Sequence, residues 1–277
     1  MTSARADRTA APLGVFDSGL GGLTVVRALR EALPAEDIVY LGDTARVPYG
    51  TKGEATVVKY ALACSRLLVD RGVKALVLAC NTVSAVAPER LRVELDIPIL
   101  GVIDPGARAA VAATRTGRIG VLATAGTIAS GAYARAVARV STRAEVFGQA
   151  APLLVPLAEE GWTEGDVPRL VVRRYVEPLA RAQVDVVVLG CTHYPLLRPA
   201  IEAEVGARVG AHAAVVDSAT ATAADVSAFL RGRGLARDGG AAGGRVQLVV
   251  TDVPRAFREA ATRFLGADVG EVEQVDL

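Results

Sequence analysis

Two of the three cysteines in this 277-residue chain sit where α/β proteins usually do chemistry. Cys80 closes the apolar run Val73-Lys-Ala-Leu-Val-Leu-Ala and is followed by Asn81-Thr82. Cys191 closes Val184-Asp-Val-Val-Val-Leu-Gly and is followed by Thr192-His193. Taken singly, each reads as a buried core cysteine, a common fate of that residue. As a pair ending two buried strands with small polar followers they read as functional thiols, because open α/β sheets bind ligands at the carboxyl ends of their strands. Cys80, Cys191, His193 and Asp17 are also metal ligands by type. The chain has no C-x2-C pair, however, and Cys191 and His193 would crowd one short turn, so no metal is expected. Cys64 is the internal control. It sits in a helical pattern with Ala61, Leu67 and Leu68, has no polar followers, and reads as core.

Asp17-Ser18 follows the first apolar run in Gly14-Val-Phe-Asp-Ser-Gly-Leu-Gly-Gly22. A Gly-rich strand-to-helix turn can hold phosphate on its backbone N–H groups. These glycines are not spaced as G-x-G-x-x-G and no G-K-[ST] is present, so a dinucleotide is a poor fit. A carboxylate substrate can use the same helix N-terminus, with Asp17 facing an ammonium group or a thiol. The connector Leu41-Gly-Asp-Thr-Ala-Arg-Val-Pro-Tyr-Gly50 is rich in hydrogen-bonding residues, although an ordinary loop reads the same way. Glu159, in Pro156-Leu-Ala-Glu, reads as readily as a helix-start carboxylate. His193 is one of two histidines and the one beside a candidate nucleophile; His212 lies next to a strand without such a neighbour.

The elements that must position these residues alternate. Strands are expected near 13–17, 37–42, 75–79, 97–101, 118–122, 144–148, 185–190, 213–216 and 246–250, with helices at 22–33, 53–71, 83–94, 105–113, 127–139, 167–182 and 254–264. Such alternation implies mainly parallel sheets flanked by helices. The run ending in Cys80 aligns with the run ending in Cys191 at an offset of 111, and Gly14-Val-Phe-Asp17-Ser18 aligns with Gly120-Val-Leu-Ala123-Thr124 at an offset of 106. Two structurally similar α/β domains related by a pseudo-two-fold axis are therefore expected, with the cysteines facing each other. The expected first domain is 1–98 plus 210–277, with 1–11 a disordered tail, and the second is 99–209. Gly234 to Gly244 reads as a surface loop.

Composition bounds the function. Hydrophobic residues make up 51%, enough for a sizeable core, and charges nearly cancel to net +1. That balance gives no reason to expect nucleic acid or an anionic membrane as partner. No run approaches the roughly 20 apolar residues of a membrane span, and the first ten residues lack the apolar core of a signal peptide. Three cysteines form no disulfide framework, so the reducing cytoplasm is the expected compartment.

The motifs Phe16-Asp-Ser-Gly-Leu-Gly-Gly-Leu-Thr-Val25, Gly42-Asp-Thr-Ala-Arg-Val-Pro-Tyr-Gly50, Ala79-Cys-Asn-Thr82, Pro105-Gly-Ala-Arg108, Gly126-Thr-Ile128 and Leu189-Gly-Cys-Thr-His-Tyr-Pro195 resemble, in order, those of glutamate racemases. The resemblance implies two α/β domains with the site between them, and no pyridoxal phosphate, metal or other cofactor. It implies Cys80 and Cys191 as acid/base thiols, with Asp17, His193 and Glu159 in the catalytic group. Asp17, Ser18, Pro48, Tyr49, Gly50, Asn81, Thr82, Thr124, Thr192 and His193 are the implied substrate-binding set. It also implies that Cys80 takes the proton from D-glutamate and Cys191 from L-glutamate, that the enzyme supplies D-glutamate for peptidoglycan, and that it is a homodimer. Some relatives affect DNA gyrase; nothing in the sequence supports that partner. Aspartate racemases share the two-thiol plan, but Cys-Thr-His resembles the glutamate branch. The remaining alternatives are a thiol-dependent or zinc enzyme and a non-catalytic amino-acid-binding module.

The chemistry suits the residues. Inversion removes a proton from one face of the α-carbon and delivers another to the opposite face, which one base cannot easily do. A free thiol, with pKa about 8.5, is mostly protonated at neutral pH, so one thiol must be held as thiolate while its partner keeps its proton. Asp17 beside Cys80 and His193 beside Cys191 are the expected tuning groups. Ser18, Asn81, Thr82 and Thr192 are the expected donors to the substrate carboxylate as the carbanion develops.

Overall fold

The computed structural model describes residues 8–237, 243–253 and 257–277. In chain order the strands are β1 (Leu13–Asp17), β2 (Ile38–Gly42), β3 (Ala75–Leu78), β4 (Ile99–Gly101), β5 (Arg118–Ala123), β6 (Glu145–Ala150), β7 (Val186–Gly190), β8 (Ala214–Asp217), β9 (Val246–Val250) and β10 (Val272–Gln274). The helices are α1 (Leu23–Ala32), α2 (Glu54–Asp70), α3 (Asn81–Val86), α4 (Pro88–Glu94), α5 (Ile103–Ala113), α6 (Ala125–Ala129), α7 (Ala132–Val140), α8 (Leu154–Glu159), α9 (Asp166–Arg181), α10 (Arg198–Arg208), α11 (Ser218–Arg233) and α12 (Phe257–Leu265).

The strands form a six-stranded sheet ordered β10-β9-β2-β1-β3-β4 and a four-stranded sheet ordered β6-β5-β7-β8. Every pairing is parallel. The order β2-β1-β3-β4 recurs as β6-β5-β7-β8, so the internal repeat is a repeat of topology. It puts Cys80, after β3, and Cys191, after β7, at equivalent places in the two sheets.

Hydrophobic alternation explains how the sheets are covered. Leu13 and Val15 of β1 pack into a core shared with the four-stranded sheet, while Phe16 joins a second core under α2 and α4. Both faces are buried, as parallel sheets require. Leu23, Val26 and Leu29 lie at helical spacing on α1 and are all fully buried, each contributing about 1.5–3 kcal/mol of apolar burial.

Several expected boundaries move. The helix expected over 83–94 is two helices, because Pro88 has no N–H to continue α3 and instead starts α4. The helix expected over 127–139 is broken at Gly131, which takes a left-handed φ of 65°. β4, expected to open the second domain, pairs with β3 in the six-stranded sheet, and β8, expected within the first, pairs with β7 in the four-stranded one. Residues 8–10 of the expected disordered tail form a helical turn, and the Thr9 carbonyl accepts from buried Lys74 Nζ at 2.9 Å. Residues 1–7, residues 238–242 of the expected glycine-rich loop, and the start of the helix expected at 254 lie outside the described residues. No described helix is long and apolar enough to cross a membrane.

Candidate active site

The turns leaving the carboxyl ends of β1, β2, β3, β5 and β7 converge with α8 on one cleft. Ser18, Pro48, Tyr49, Gly50, Cys80, Asn81, Thr82, Thr124, Glu159, Cys191, Thr192 and His193 all line it. Asp17 lies just behind it, fully buried, its Oδ2 accepting from Gly19 N at 3.0 Å. Cys64 is elsewhere, on the buried face of α2, within 3.8 Å of Arg46 Nη2.

Each thiol has its own surroundings. Cys80 caps α3 and its Sγ donates to Ser18 Oγ at 3.3 Å. Burial pushes this thiol up to about 12, and the Asp17 charge adds to the effect. Burial also raises the Asp17 carboxyl, against the pull of His193 and of neighbouring backbone N–H groups. On the other wall, Cys191 Sγ lies 3.8 Å from His193 Nδ1, and His193 Nε2 lies 3.1 Å from Glu159 Oε1. That contact singles out Glu159 from its neighbour Glu160. Burial alone would lower the His193 pKa, but the hydrogen bonds to Cys191 and Glu159 and their charges outweigh it and lift it to about 10. One thiol is thus held protonated by a dry acidic pocket, and the other faces a cation.

Turns and helices of the two halves are hydrogen-bonded to each other around the cleft. Thr24 Oγ1 donates to the Thr192 carbonyl at 3.0 Å. Thr82 Oγ1 meets Thr124 Oγ1 at 2.9 Å and Thr127 Oγ1 at 3.3 Å. Gly126 N donates to the Gly50 carbonyl at 2.9 Å. The Val47–Gly50 strap is anchored by buried Asp43, which accepts from Tyr49 O–H, from Thr251 O–H at 2.8 Å and from Arg46 Nε at 2.9 Å. Thr24, Asp43, Thr127, Tyr133 and Phe264, which packs edge-on to His193 at 5.1 Å, were not expected at the site. Thr24, Asp43 and Thr127 carried a signal, their places in the Phe16–Val25, Gly42–Gly50 and Gly126–Ile128 motifs; Tyr133 and Phe264 carried none. Among the described residues, no group of three His, Cys, Asp or Glu side chains could hold a metal ion.

Two thiols, one from each sheet, opening on one small cleft can exchange protons with opposite faces of a bound carbon acid. The sequence profile of Asp/Glu/Hydantoin racemases matches residues 13–226. The chain belongs to that racemase family. It is similar to the glutamate racemase of Geobacter metallireducens, with 51% identity over 96% of both chains. It is also similar in structure to the glutamate racemase of Francisella tularensis in complex with D-glutamate, with a TM-score of 0.89, 34% identity, and coverage of 97% of this chain and 98% of the other. The Thermus thermophilus glutamate racemase in complex with β-chloro-D-alanine gives a TM-score of 0.86 and 43% identity, covering 97% and 98%.

The histidine of this racemase makes stability depend on pH. With His193 near pKa 10 when folded and an ordinary value of 6.5 when unfolded, the folded state holds the proton more tightly. That stabilisation is complete below pH 6.5 and is lost as pH rises through about 10. Thermal melts should therefore show Tm falling between pH 7 and pH 10, and His193→Gln should flatten this slope. An unchanged slope in the variant would place the titration elsewhere.

Proposed function

We propose that the protein interconverts L-glutamate and D-glutamate without a cofactor, by two-thiol acid/base chemistry, and supplies D-glutamate for peptidoglycan. The observation that carries this reading is the single cleft lined by both Cys80 and Cys191, in a chain so similar to glutamate racemases. In this reading Cys80 and Cys191 are the acid/base pair. Asp17 and the His193–Glu159 pair set their protonation. Ser18, Asn81, Thr82, Thr124, Thr192 and the Pro48–Gly50 strap hold the substrate. We also propose a homodimer in the cytoplasm, the latter in keeping with three free cysteines. The two domains are proposed to divide where the chain changes sheet, after Gly101 and again after Asp217. The test is incubation of each enantiomer of glutamate and aspartate in D2O while following the α-proton signal. Both glutamate enantiomers should lose it and invert. Binding without exchange, or exchange with aspartate alone, would overturn the reading.

The thiols are assigned by face: Cys80 removes the proton of D-glutamate and Cys191 that of L-glutamate. Simple rates cannot test this, because enantiomers have equal free energy and kcat/KM must match in both directions for every variant. Isotope effects escape that constraint. Serine is a poorer acid and base in this role than cysteine and slows whichever transfer it performs. Cys80→Ser should show its larger primary deuterium effect with α-deuterated D-glutamate, and Cys191→Ser with the L-enantiomer. The reverse pattern would swap the assignment.

A further inference from the structure

We infer that Tyr133 is a positioning residue that orients the Asn81 carboxamide toward the substrate. The inference rests on the reading of the cleft as a glutamate site. Asn81 opens α3 beside Cys80, is 2% exposed and lines the cleft. One end of its carboxamide is held: Oδ1 accepts from Tyr133 O–H at 2.8 Å. The other end is not, and Nδ2 is buried with no hydrogen-bond partner. A buried N–H donor without an acceptor is costly, and a carboxylate entering the cleft supplies the acceptor. The two ends of an amide have opposite polarity. If the group flipped, it would present Oδ1 to an anionic ligand and set its N–H against the Tyr133 hydroxyl proton. The tyrosine therefore decides which end the substrate meets.

Tyr133 is built to do this. It lies on α7 of the second half, 3% exposed, with its ring in a slot left by two glycines. A Cβ on Gly190 would stand 3.1 Å from Tyr133 Cε2, and one on Gly106 would stand 3.4 Å from its hydroxyl. Asn81 belongs to the first half. The amide is thus oriented by a bond that exists only while the two sheets are docked, so substrate recognition is coupled to their apposition.

Tyr133→Phe removes the hydroxyl and keeps the ring. Glutamate kcat/KM should fall about five- to tenfold, equally in both directions, with the larger share in KM because the carboxylate is gripped before as well as during reaction. Tm should stay within a few degrees. The deciding measurement repeats the substitution in an Asn81→Ala background, by kinetics and by calorimetric binding of D-glutamate. If Tyr133 acts through Asn81, the second substitution should change either quantity less than twofold. The same factor in both backgrounds, or a Tyr133→Phe enzyme equal to wild type, would overturn the inference while leaving the racemase reading intact. Wild-type protein that neither binds nor exchanges glutamate would overturn both.

Discussion

Alanine in place of Cys80 or Cys191 should lower glutamate racemisation by about a thousandfold. The two thiols reach the cleft from different sheets, so neither can take over the other's face of the α-carbon. The loss should be asymmetric when exchange is followed instead of inversion. Cys80→Ala keeps the thiol assigned to L-glutamate and should retain slow α-proton exchange with that enantiomer. Cys191→Ala should retain it with D-glutamate. Cys64→Ala is the control. Cys64 is fully buried, with its thiol pushed up to about 12 by burial and by the Asp43 charge, and it lies away from the cleft. This variant should lose about 1–2 kcal/mol of stability as a small cavity forms and keep nearly all its turnover. A fully active Cys191→Ala protein would end the two-base mechanism.

Gly21→Ala should be almost as damaging, although Gly21 carries no functional group. A Cβ there would overlap Thr192 Oγ1 and stand 2.5 Å from His193 Nδ1. Neither neighbour can retreat freely: the Thr192 carbonyl is held by Thr24 and the His193 ring by Glu159 and Phe264. The methyl must push the Cys191 turn away from the first sheet, and a displacement near 1 Å in a catalytic constellation costs about a hundredfold in rate. Overpacking should also cost about 1–3 kcal/mol of stability. Gly53→Ala gives the comparison, because a Cβ at Gly53 meets nothing within 4 Å; its activity and Tm should match wild type. If Gly21→Ala turned over glutamate at the wild-type rate, the closeness of the two sheets at this point would not matter to catalysis.

Much of this was legible in the sequence, for physical reasons that differ by element. β1, β3, β5 and β7 are buried on both faces and read as uninterrupted apolar runs. The cysteines could be placed because a strand end followed by small polar residues is a local pattern. α11 could not be read: its buried face is Ser218, Ala219, Thr222 and Ala223 as well as Val226 and Leu230, and small residues packed closely between sheets leave little apolar periodicity. β10 is three residues long and largely exposed, too short for any alternation. Tyr133 and Thr24 act across the gap between the halves, and no spacing along one chain reports such a contact. The same limit hides the sheet to which β4 and β8 belong, because a strand's sheet is set by its partner and not by its own residues.

The six-stranded sheet is closed by both ends of the chain. β2 takes β1 on one side and β9 on the other, and the whole four-stranded sheet is encoded between them. On the ribosome, β2 emerges with its outer edge bare and stays so until Val246–Val250 is made. A bare parallel edge rich in Ile38, Val39, Tyr40 and Leu41 is a template for pairing with any other extended chain. The second half, by contrast, has all four of its strands once Asp217 is out. The strands of the second sheet are therefore all made before the first sheet has its last two, although the first sheet begins earlier in the chain.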